Sequence, residues 1–164
     1  MWFDIIKSPI YIGATGDEPQ GATDNQFQYL NVITGGQIAF ISTDGNARAH
    51  FHFADNHWEL SIFEIKKEIR RKGLGEDYLR ELVGELRDTE EEVIDSLIDK
   101  LIDDRDDLAR EVDVGSPYFA QMDEMITRLE SARPPLDIIV IHIENARDWW
   151  VKMENKGIIQ GIKG

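Results

Sequence analysis

IRRKGLGEDYL, Ile69 to Leu79, stands where one periodicity gives way to another. Before it runs the apolar stretch WELSIFEIK (58–66), and after it Leu79, Leu82, Val83 and Leu86 recur at helical spacing. A strand, a glycine turn and a helix in that order gather unpaired backbone N–H groups at the helix start, where the dipole also favours a negative charge. With Arg70, Arg71 and Lys72 beside Gly73 and Gly75, the ligand this junction suits is a phosphate.

Upstream, three more runs have strand character: FQYLNVI (27–33), QIAFIST (37–43) and ARAHFHF (47–53). The short turns TGG, DGN and ADN separate them, which predicts an antiparallel meander ending in WELSIFEIK. Downstream, a helix from about Gly75 to Leu86 should lay its apolar face on the sheet. Residues 88–131 then read as an inserted helical hairpin. Its first helix carries Val93, Leu97, Leu101, Leu108 and Val112; its second opens at a Ser116 cap with Pro117 in the first turn and runs Phe119, Met122, Met125, Ile126, Leu129. Pro134-Pro135 breaks the helix, LDIIVIHI (136–143) supplies a buried strand, and ARDWWVKM (146–153) a last helix. The expected fold is α/β of the α+β kind: a mixed, mostly antiparallel central sheet flanked by helices, one domain over 1–164 with the hairpin inserted at about 88–131.

The chain has no cysteine, which excludes a disulfide scaffold, a thiol nucleophile and thiolate metal sites. The start MWFDIIKSPIYIG lacks a basic region and an unbroken apolar core, and no apolar run approaches spanning length, so a cytoplasmic protein without membrane contact is expected. A net charge of −14 disfavours direct nucleic-acid binding and favours cationic partners. From Asp88 to Asp113 there are twelve acids and three bases, a net −9, so most of the imbalance lies in the hairpin. His50 and His52 share one face of a strand as a two-histidine metal site would, but no third ligand stands near them in sequence, and His142 adds nothing alone.

Arg70-Arg71-Lys72-Gly73-Leu74-Gly75 fits Arg/Gln-x-x-Gly-x-Gly/Ala between a strand and an amphipathic helix, and so resembles the acyl-coenzyme A loop of the GNAT superfamily of N-acetyltransferases. That family has a second signature, a buried strand followed by Asn-x-x-Ala-x-x-Phe-Tyr/Trp-x-Lys-x-Gly-Phe. IENARDWWVKMENKGII offers Ala146, Trp149, Trp150 and Lys152 at matching spacing, with Asn145 displaced by two positions and Gly157-Ile158 arriving about three residues late. The resemblance covers roughly residues 27–87 and 136–159. It implies a GNAT-like fold with acetyl-CoA as co-substrate, bound by Arg70, Arg71, Lys72, Gly73, Leu74 and Gly75, by the backbone of Phe63 and Ile65, and by Asn145 and Trp150.

The family transfers an acetyl group directly from thioester to amine, which requires a group that takes a proton from the acceptor. The resemblance places Glu59 there, and its neighbours Trp58 and Phe63 would give it an apolar setting that raises a carboxylate pKa. A strand-end glutamate facing water is the plain alternative. The family's frequent tyrosine acid aligns with Trp150, so the thiolate leaves unassisted or takes its proton from water; Trp149 and Trp150 also read simply as core or wall. The family usually places two helices between its first two strands, where TGG is here expected to be the whole connection, and only GIIQGIKG follows the last helix. Two functions follow. One is an N-acetyltransferase acting on a cationic amine, a small molecule or a lysine-rich protein segment. The other is an inactive scaffold of the same fold whose acidic surface binds a basic partner or mimics nucleic acid. The oligomeric state, a homodimer among the options, is left open.

Overall fold

Strand alternation in this chain builds one sheet. The computed structural model describes residues 3–6, 37–70, 72–110, 117–141, 143 and 146–163. Its strands are β1 (Phe3–Ile6), β2 (Gln37–Ser42), β3 (Ala47–Ala54), β4 (His57–Ile65), β5 (Ile138–Ile141) and β6 (Gly161–Lys163). They lie in sequence order across the sheet. The β1–β2, β2–β3 and β3–β4 pairs are antiparallel, whereas β4–β5 and β5–β6 are parallel, so the sheet is mixed. The β3–β4 hairpin turns on Asp55 and Asn56, at φ 50° and 65°, the left-handed backbone that a two-residue hairpin loop requires.

Among the described residues four helices connect and flank these strands: α1 (Lys67–Arg70), α2 (Gly75–Leu108), α3 (Pro117–Ser131) and α4 (Arg147–Asn155). The expected helix end near Leu86 does not exist, since α2 runs unbroken for 34 residues. Nothing between Arg87 and Glu92 is glycine or proline, and Thr89 settles its hydroxyl on the Glu85 carbonyl at 2.7 Å, a bond compatible with helix. The hairpin is therefore the outer half of α2 with α3. Leu108, Phe119 and Met122 form a small core of their own near its tip. The Ser116 cap lies outside the described residues.

The meander also needs correcting. FQYLNVI and TGG lie outside the described residues, and the strand paired with β2 is Phe3–Ile6. Thirty residues, 7–36, separate β1 from β2, so the connection between the first two strands is not a three-residue turn.

Register defines two faces of the sheet. Phe51 opposes Leu60, Ala49 opposes Phe63 and Ala47 opposes Ile65, so these share a face with Trp58, and most are fully buried with Leu79, Leu82 and Leu86 of α2. Removing each such leucine side chain from water contributes about 1.5–3 kcal/mol. The opposite face carries Arg48, His50, His52, Glu59, Ile62 and Glu64. Glu90, inside the acidic run, is only 2% exposed; it accepts from the Trp58 indole N–H at 3.0 Å and the Leu136 amide at 2.8 Å. It thereby joins α2 to β4 and to the approach of β5.

Candidate functional site

Strands β4 and β5 pair over only three residues, Trp58–Ile138, Glu59–Ile139 and Leu60–Val140. Immediately beyond, the β3–β4 register shifts: Phe51 opposes Leu60 but His50 opposes Ile62, leaving Ser61 as the extra residue of a bulge. A bulge bends and twists its strand, and here it marks the level at which β4 parts from β5. From Ile62 to Ile65, β4 pairs with β3 alone among the described residues.

A pocket of about 630 Å³ opens at that parting. One wall is Phe63, Glu64 and Ile65 of β4; a second is Arg70, Gly73, Gly75 and Glu76; a third is Ala146, Trp149 and Trp150. Two sequence motifs about seventy residues apart thus meet in one cavity. Arg70 ends the one-turn helix α1, which was not expected, and its Nε donates to the Ile65 carbonyl at 2.7 Å. Lys72 is exposed, and Leu74 stands at the N-cap of α2 with no side-chain cap bond, so the first-turn amides are not used by a capping side chain. Arg71 and Asn145 lie outside the described residues.

The two glycines have different reasons. Gly73 has φ +69°, with nothing within 4 Å of where a Cβ would sit, so backbone conformation selects glycine there. At Gly75 a Cβ would come within 3.2 Å of Trp149 Cζ2, so glycine lets the start of α2 close on the indole. Trp149 stacks on Phe63 at 6.2 Å with planes 9° apart, and Trp150 meets both rings edge-on. Trp150 is 7% exposed, which makes it wall and core at once. Glu76 also lines the pocket; hydrogen bonds from Lys156 and then Arg80 hold its carboxyl below the usual range.

Glu59 faces the other side of the sheet. Its sequence neighbour Trp58 and the nearby Phe63 point away from it, so the apolar setting expected from sequence is absent. Instead its Oε2 lies 3.4 Å from His57 Nε2 and 3.4 Å from Lys163 Nζ, with His52 opposite on β3. The residue as a whole is nonetheless only 9% exposed. Burial pushes the His52 and His50 imidazoles below their ordinary pKa, and His52 Nδ1 is buried without a hydrogen-bond partner. Among the described residues no group of three or more His, Cys, Asp or Glu side chains is placed to hold a metal ion. Sequence reasoning missed His57 and Lys163. His57 was findable, two residues before Glu59 on the same strand and so on the same face; nothing local marked Lys163.

Among the described residues no helix is long and apolar enough to cross a membrane. Comparisons with protein-family models, with curated proteins and with solved structures find no match.

Proposed function

We propose that this protein is a divergent GNAT-type N-acetyltransferase that takes acetyl-CoA in the pocket between β4, the α2 start and α4, and acts on a cationic amine in a cytoplasmic setting. The observation that carries the reading is that the two family-like motifs, 70–75 and 146–150, wall one cavity where β4 parts from β5 at a bulge. The uncapped first turn of α2, with Arg70 and Lys72 beside it, suits a pyrophosphate. Past the bulge, the β4 backbone at Phe63 and Ile65 has no β5 partner among the described residues, and although the Ile65 carbonyl accepts from Arg70 Nε, the strand edge suits an amide-bearing pantetheine arm.

The acceptor nitrogen attacks the thioester carbonyl carbon, a C–N bond forms, and the oxyanion is met by a backbone N–H such as that of Phe63. Collapse breaks the C–S bond and releases coenzyme A thiolate, protonated from water. The nitrogen's proton passes through water to Glu59, whose side chain lies on the other face of the sheet from Phe63. With His57 and Lys163 against it, Glu59 belongs to a polar cluster suited to proton traffic. The test is thiol release from acetyl-CoA in the presence of polyamines, aminosugars or lysine-rich peptides. Acceptor-dependent release supports the reading; none with any amine class counts against it.

One feature favours the second reading, a binding protein with an acidic arm. A groove of about 440 Å³ between α2 and α3 has an apolar floor of Ile94, Ile98 and Leu129, rimmed by Glu91, Asp95 and Glu130. None of these three carboxylates has an ion-pair partner among the described residues. A chain that ignores acetyl-CoA but binds a basic peptide there would be this second kind of protein.

A further inference from the structure

The described lining of the coenzyme pocket carries more negative than positive charge. Among the described residues its walls hold one cation, Arg70, and two carboxylates, Glu64 and Glu76. Arg48 takes Glu64 at 2.6 Å on the far face of the sheet. Glu76 is different. It stands in the first turn of α2, among the amides where an anion would settle, and its depressed pKa keeps it charged. Arg80 Nε, one turn along α2, donates to its Oε2 at 3.0 Å, and its Oε1 meets a second cation.

That cation comes from α4. Lys156 Nζ donates to Oε1 of Glu76, a residue of the pocket lining, joining the end of α4 to the start of α2. The lysine backbone is pinned: Gly157 N–H bonds the Glu154 carbonyl at 2.9 Å and Ile158 N–H bonds the Met153 carbonyl at 3.1 Å, with Gly157 at φ +76°. This is a Schellman cap, and its two apolar ends, Met153 and Ile158, are buried. Gly157-Ile158, which fell out of register with the family pattern, is accounted for by this cap. An ammonium carries three donors, and Glu76 uses one. We propose that Lys156 is a phosphate ligand of the coenzyme site, its ammonium shared between Glu76 and the anion. The assignment rests on the coenzyme reading above.

The test measures binding of acetyl-CoA, of inorganic pyrophosphate and of pantetheine, which lacks phosphate, by calorimetry. Lys156→Ala should weaken the first two about tenfold, the scale of one charge-assisted hydrogen bond, and leave pantetheine unchanged. Lys152→Ala, which removes the same charge one turn earlier on an exposed site, should leave all three within about twofold. Lys156→Arg should keep most of the affinity. Adding Glu76→Gln to Lys156→Ala should recover part of the loss, because the carboxylate left with Arg80 alone is gone. Equal effects of Lys156→Ala and Lys152→Ala, or an equal loss for pantetheine, would overturn the assignment. Wild-type protein that binds acetyl-CoA with no effect of Lys156→Ala sinks this assignment alone; wild-type protein that binds none of the three ligands removes the coenzyme reading and this assignment together.

Discussion

Replacing Glu90 by alanine should be among the most damaging single changes in the arm, although the sequence places this residue in a run of solvent-facing acids. The carboxylate accepts from the Trp58 indole at 3.0 Å, the Leu136 amide at 2.8 Å and the Arg87 guanidinium at 3.0 Å. Glu90→Ala orphans two buried donors, each costing about 1–3 kcal/mol, while Arg87, at 26% side-chain exposure, finds water. The total loss comes to roughly 3–5 kcal/mol, the range for removing one partner of a buried charged network. For a chain of this size that lowers Tm by on the order of 10 °C. Thermal unfolding followed by circular dichroism, with urea titration to confirm an unchanged m value, measures it. Glu90→Gln, which keeps one acceptor oxygen, should fall between wild type and alanine. A loss under about 1 kcal/mol for alanine would refute the reasoning, since no buried network of this kind is broken so cheaply.

Three further outcomes are expected. Gly73→Asp should leave the protein folded, at about 1 kcal/mol for a left-handed non-glycine residue, yet weaken acetyl-CoA more than tenfold in calorimetry by putting a carboxylate at the turn. Glu59→Gln should reduce turnover about a hundredfold at neutral pH with coenzyme affinity intact; unchanged turnover in a stopped-flow or thiol-release assay would return Glu59 to a structural role. Asp44 is held down to about 2 by hydrogen bonds from Ser42 and then Tyr78, so it stabilises the fold above its ordinary value of 3.8 and loses that contribution as pH falls toward 2. Asp44→Asn should therefore flatten the stability profile between those values, and identical acid melting curves for the two proteins would contradict the assignment.

Much of the frame was legible because it rests on local pattern. The alternation in QIAFIST, ARAHFHF and WELSIFEIK gave β2, β3 and β4, and glycine spacing marked the turn before α2. Other features depend on distance. The unbroken α2 escaped notice because residues 87–92 carry no apolar stripe, and Glu90 is buried only because Trp58 and Leu136 reach it from elsewhere in the chain. The partner of β2 was misplaced because Phe3–Ile6 is four residues long and thirty residues away in sequence. At the site, the loop residues stand out by their glycine and cation pattern and its resemblance to a family motif, while the surroundings of Glu59 do not. Strand neighbours such as Trp58 alternate to the opposite face, and Lys163 comes from the far end of the chain.

The central claim is that one pocket, formed where β4 leaves β5, receives acetyl-CoA. Titrating isotope-labelled protein with acetyl-CoA and following backbone amide and indole N–H resonances tests it most directly. Saturable shifts are expected at Phe63–Ile65, at Gly73–Glu76 and at the indoles of Trp149 and Trp150, with α2 beyond Glu91 and α3 unmoved. An absence of shifts at any concentration, or shifts confined to the acidic arm, would contradict it.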